Sequence, residues 1–104
     1  MRKAEIRMHR VPAGVLEEAT PEQACRFTYY PQYNGPPISL TLPVSQKTFE
    51  FDRFPPFFDG LLPEGMMLES LLKKRKLDRN DFFGQLMAVG EDLVGAVTAA
   101  EILE

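Results

Sequence analysis

One cysteine, Cys25, and one histidine, His9, are all that the 104 residues hold of either type. A lone cysteine closes no intramolecular disulfide, and one His with one Cys cannot complete a zinc site. Nucleophilic catalysis is equally short of parts, because His9 is the one imidazole and falls at a turn expected after the first strand. No glycine-rich loop followed by Lys and Ser or Thr occurs, and Glu91 and Asp92, between Gly90 and Gly95, would repel phosphate. No stretch approaches the roughly 20 apolar residues that cross a bilayer. The first ten residues run into Val11-Pro12 without the apolar run of a secretory signal. Cationic excess is missing too: twelve Lys plus Arg against fifteen Asp plus Glu give a formal charge of -3, which gathers neither nucleic acid nor anionic membrane. The expectation is a cytoplasmic, non-enzymatic chain with no catalytic residues, no cofactor, no metal, no membrane contact and no direct nucleic-acid contact.

Proline is absent from residues 64–104, all nine lying between Pro12 and Pro63. Proline breaks helices, so the front reads as strands and turns and the back as helices. With 44% apolar residues, the chain suits one domain spanning 1–104. Ala4, Ile6 and Met8 alternate with polar residues, His9 through Pro12 form a turn, and Gly14-Val15-Leu16 return. Cys25, Phe27 and Tyr29 share a strand face, with Cys25 read as a small core residue. Ile38, Leu40 and Leu42 alternate up to Pro43, as do Phe49 and Phe51. Short connections and two-faced alternation predict an α+β fold: a small antiparallel, barrel-like sheet of about five strands followed by two or three helices.

The helical half opens after Pro63, with Met67, Leu68, Leu71 and Leu72 at helical spacing and Lys73 to Lys76 at its end. Asp78 reads as the next N-cap, Phe82, Phe83, Leu86 and Met87 as an apolar stripe, and Gly90 as its stop. Gly95 to Ala100 read either as a last strand or as irregular chain. Two acidic pairs, Glu17-Glu18 and Glu91-Asp92, fall in expected loops and read as solvated turns. Lys73 to Lys76 with Arg79 hold five of the twelve cations and read as a helix-terminal or protein-binding run, with phosphate binding as the alternative.

Five of the eight phenylalanines fall within residues 49–58, around Pro55-Pro56. The segment from Phe49 to Met67 divides between two readings, core packing and a stiff surface for docking. Met67 continues the helix stripe, whereas Met66 points elsewhere as an adaptable contact.

Three ordered motifs carry a resemblance. Ile38-Ser39-Leu40-Thr41-Leu42-Pro43, then Pro56 to Gly65 (PFFDGLLPEG), then Gly90 to Val97 (GEDLVGAV), resemble the N-terminal subdomain of HipA-type serine/threonine kinases, over nearly the whole chain. Those kinases continue into a nucleotide site and catalytic machinery that have no counterpart here. The resemblance therefore implies the small subunit of a split system, a non-catalytic antitoxin. The implied partners are a separate HipT-like serine/threonine kinase and a HipB-like helix-turn-helix repressor in a ternary complex. The alternative is a bridging subunit that links kinase to repressor without inhibiting alone. The expected kinase contact is Phe57, Phe58, Leu61, Leu62, Pro63, Glu64, Gly65, Met66 and Met67, with Leu61, Leu62 and Met66 as apolar anchors and Glu64 at the rim.

Overall fold

The computed structural model describes residues 2–20, 23–93 and 95–103; Pro21-Glu22 of the expected polar loop and Val94 of the third motif lie outside the described residues. Strands β1 (Lys3–Met8), β2 (Val11–Glu18), β3 (Cys25–Tyr29) and β4 (Thr48–Phe51) precede helices α1 (Pro56–Asp59), α2 (Gly65–Arg75) and α3 (Phe82–Val89). A 3-10 turn (Gly90–Asp92) and strand β5 (Val97–Glu101) follow. The strands form one antiparallel sheet in the order β4-β3-β2-β1-β5. The α+β class and the strand number match expectation. The sheet does not close, so β4 and β5 are edges, and the last strand comes after the helices.

The turn from β1 to β2 is shorter than the expected His9–Pro12 segment. His9 and Arg10 alone make it, at φ 50° and 70°, and Val11 and Pro12 already pair with Met8 and Arg7. Two left-handed residues match the twist of a tight hairpin, and neither is the glycine or asparagine that usually announces it. The register shifts between Ile6 and Arg7, so Ala13 is an extra residue in β2. Its carbonyl accepts the Tyr30 N–H at 2.8 Å, and both Ala13 and Gly14 are buried.

The expected strand at Ile38–Leu42 is instead irregular chain. Ile38 and Leu42 are buried while Leu40 is 97% exposed. The Tyr29 hydroxyl donates to the Leu42 carbonyl at 2.5 Å and accepts the Ile38 N–H at 3.1 Å. One side chain thus satisfies backbone groups that a ladder would otherwise pair, and the missing fifth strand is supplied by Val97–Glu101.

One sheet face carries Ala4, Ile6, Leu16, Cys25, Phe27, Tyr29, Phe49, Val97 and Ala99, all in the core. Phe54, Phe58, Leu62, Phe83 and Leu86 complete that core from the helical side. Phe27 meets Tyr29 edge-on at 4.8 Å and lies 6.2 Å from Phe58. The other face is polar: Arg26 pairs with Glu50 at 3.1 Å and Glu17 at 3.6 Å, and Arg7 with Glu5 at 2.9 Å. That asymmetry is what an antiparallel sheet with one wet face requires.

The acidic pair Glu17-Glu18 and the N-cap of α3 are placed differently from expectation. Glu17-Glu18 ends β2 rather than lying in a loop. The N-cap of α3 is Asp81, whose carboxylate accepts the Gly84 N–H at 3.1 Å. Asp78 instead accepts the Asn80 N–H at 2.8 Å, three residues early. Buried Gln85 closes the same corner by donating to the carbonyls of Asp78 and Arg79. No helix among the described residues is long and apolar enough to cross a membrane.

Candidate partner-binding surface

The segment from Phe49 to Met67 resolves into both of its readings, in order along the chain. Phe49, Phe54, Phe58 and Leu62 are core, and Phe57 and Leu61 are half-buried. Met66 is 88% and Met67 74% exposed. The nine expected contact residues therefore divide. Phe58 and Leu62 lie in the core, and a partner reaches them only by opening it, so Leu62 is not an available surface anchor. Pro63 is half-buried; Glu64, Gly65, Met66 and Met67 stand in solvent.

Local chemistry explains the division. Pro55 and Pro56 start α1 with Pro56 in the first helical position, where its fixed φ fits and its missing N–H is not needed. That short turn drives Phe58 inward. Gly65 then opens α2 at φ +59° with open space where a Cβ would stand, so it is backbone conformation and not crowding that calls for glycine, since L side chains rarely adopt this left-handed region. The chain leaves the core here, and α2 buries none of its eleven residues. Met67, expected on the inward stripe, is exposed for this reason. Leu68, Leu71 and Leu72 are half-buried.

A groove of about 390 Å³ lies beside the exposed methionines, lined by Leu61, Pro63 and Met67 on one wall and by Val89, Asp92 and Leu93 on the other. The second and third motifs thus meet across one apolar depression. Leu93 and Val89 are contributors that the sequence reading did not single out; Leu93 had a signal, since it stands inside the third motif. A second groove of about 370 Å³ joins the first motif to the second, through Thr41, Leu42, Pro56 and Phe57.

The reactive groups lie elsewhere. Cys25 is buried, and burial pushes its thiol up to about 11, so it is protonated at neutral pH. His9 is exposed at the hairpin tip. Among the described residues, no group of three or more His, Cys, Asp or Glu has the arrangement to hold a metal ion. The strongest electrostatic feature is a brace. Arg2 bonds Glu18 at 2.7 Å and Asp81 at 2.8 Å, and its guanidinium sits 5.4 Å from the Phe83 ring centre. Its hydrogen bonds hold both carboxyls below their usual values. Exposed Lys73, Lys74, Arg75 and Lys76 end α2, while Arg79 pairs with Glu69 at 2.6 Å.

Comparison with known proteins bears on this surface. The family model described as the HipA N-terminal domain matches residues 4–100. A protein of Haemophilus influenzae (strain ATCC 51907 / DSM 11121 / KW20 / Rd), described as uncharacterized, is 32% identical over 101 residues, covering 97% of this chain and 93% of that protein. A solved structure, the N-terminal domain of HipA toxin, superposes with a TM-score of 0.78 at 28% identity, over all of this chain and 95% of that one. The three motifs, the open five-stranded sheet and these matches agree, and the chain belongs to the HipA N-terminal domain family.

Proposed function

We propose that this chain is a HipS-like, non-catalytic antitoxin, which binds a separate HipA-type (HipT-like) serine/threonine kinase in the cytoplasm and suppresses it by occlusion. Membership of the family makes the chain a HipA-related toxin–antitoxin component. The further step, to inhibitor, rests on one observation: an eleven-residue helix with no fully buried residue, carrying exposed Met66 and Met67 beside an apolar groove. Exposed large apolar residues at such a place mark a contact surface, and methionine adapts its shape to a partner. In a fused kinase the equivalent domain is part of the same chain; here, docking from outside would restore that arrangement while covering the kinase. A HipB-like helix-turn-helix repressor completes the proposed tripartite HipBST assembly.

Co-expression tests the reading. Growth arrest by the kinase should be relieved by this chain without the repressor, and Met66→Asp should abolish the relief. Rescue only in the presence of the repressor would assign the chain the bridging role instead.

A further inference from the structure

Resting on the kinase-binding reading, we infer that α2 meets its partner with a two-part footprint: Met66 and Met67 enter an apolar pocket, and Lys73 and Lys74 face carboxylates about 10 Å further along the kinase surface. Residues seven apart on a helix share a face, separated by about 10 Å of rise. Met66 with Lys73 and Met67 with Lys74 are two such pairs, joined by Ser70 between them, and all five are exposed. Leu68, Leu71 and Leu72 occupy the opposite, half-buried side. The helix dipole favours cations in the last turn, but it does not place them in line with exposed methionines.

The charge distribution selects the partner's chemistry. Lys73 and Lys74 form no ion pair among the described residues, whereas Arg79 is taken by Glu69 and Arg2, Arg7 and Arg26 by their own acids. The chain as a whole is negative; among the described residues, Lys73 to Lys76 are the one run of adjacent cations without an ion pair, while Arg10, Lys47 and Arg53 stand singly elsewhere. A phosphate backbone would suit the lysines but not the methionines on the same face, and α2 has no aromatic residue for base stacking. An acidic protein surface with a neighbouring apolar pocket suits both. Lysines at the edge of such a footprint steer encounter, and apolar anchors set the lifetime of the complex.

The test is binding kinetics between this chain and a purified HipA-type kinase core lacking its own N-terminal domain, at several salt concentrations. Lys73→Gln with Lys74→Gln keeps helix propensity and removes the charge; circular dichroism and thermal unfolding check the fold. The association rate should drop about tenfold at low salt and lose most of its salt dependence, with dissociation little changed. Met66→Asp should chiefly speed dissociation. Unchanged association and salt slope in the lysine variant would overturn the inference while leaving kinase binding intact. So would a lysine variant that keeps kinase binding but loses a gel shift with duplex DNA. A wild-type chain that fails to bind at any salt would refute the kinase reading and this inference with it.

Discussion

The Arg2 guanidinium lies 2.8 Å from the carboxylate of Asp81, linking the residue before β1 to the N-cap of α3. The same guanidinium holds Glu18 at 2.7 Å, so one side chain fastens the first strand, the second strand and the last helix. Both carboxyls are held below their usual values by these hydrogen bonds, and Arg2 is raised by them. Lowered carboxyl values mean that the stabilisation is complete above the ordinary carboxylate range and is lost as pH falls through the folded-state values. Arg2→Met should cost about 1–2 kcal/mol at pH 7, allowing for partial solvent screening. The difference from wild type should shrink toward pH 3, as measured by thermal unfolding across that range.

Gly90 is required by space rather than by backbone conformation. Its φ of -56° is ordinary, but an added Cβ would stand 2.3 Å from the Ala99 carbonyl oxygen and 2.8 Å from the Ala99 Cβ. The 3-10 turn can rest on β5 only because that position is bare. Gly90→Ala should therefore destabilise by about 1–3 kcal/mol, read by urea unfolding, although alanine is the better helix former.

Legibility followed the physics of each segment. The alternation of Cys25, Phe27 and Tyr29 marks a strand with one buried face, and the structure has that strand. Ile38, Leu40 and Leu42 show the same alternation and are irregular, because Tyr29 supplies the hydrogen bonds from 9 and 13 residues away. Pairing at that separation leaves no mark in a local window. The basic end of α2 was legible, since charge at a helix terminus is local. The exposure of Met67 was not, because it depends on Gly65 turning the whole helix away from the core. Leu62 reads as a surface anchor from its motif and as core from its packing; sequence alone left those two roles unseparated.

The same Tyr29 yields a test. Tyr29→Phe keeps the ring stacked on Tyr33 at 5.7 Å but leaves the Leu42 carbonyl and the Ile38 N–H without their partner. A loss of about 1–3 kcal/mol should follow, together with faster proteolysis within residues 36–43.

Cys25 should be inert in the folded domain. It is 2% exposed and its thiol is pushed up to about 11, so at pH 8 the reactive thiolate is scarce and shielded. Labelling by a chromogenic disulfide reagent should be slow in buffer and complete within the mixing time in denaturant.

Inhibition in solution measures the central claim directly. Phosphoryl transfer by a HipA-type kinase core lacking its N-terminal domain is followed while this chain is titrated in, first as wild type and then as Met66→Asp. The wild-type chain should suppress transfer at near-stoichiometric amounts, and Met66→Asp, folded to the same thermal midpoint, should need about 30-fold more, the loss of roughly 2 kcal/mol expected of an interface anchor. Transfer unaffected by the wild-type chain, or suppressed equally by the variant, would contradict the account.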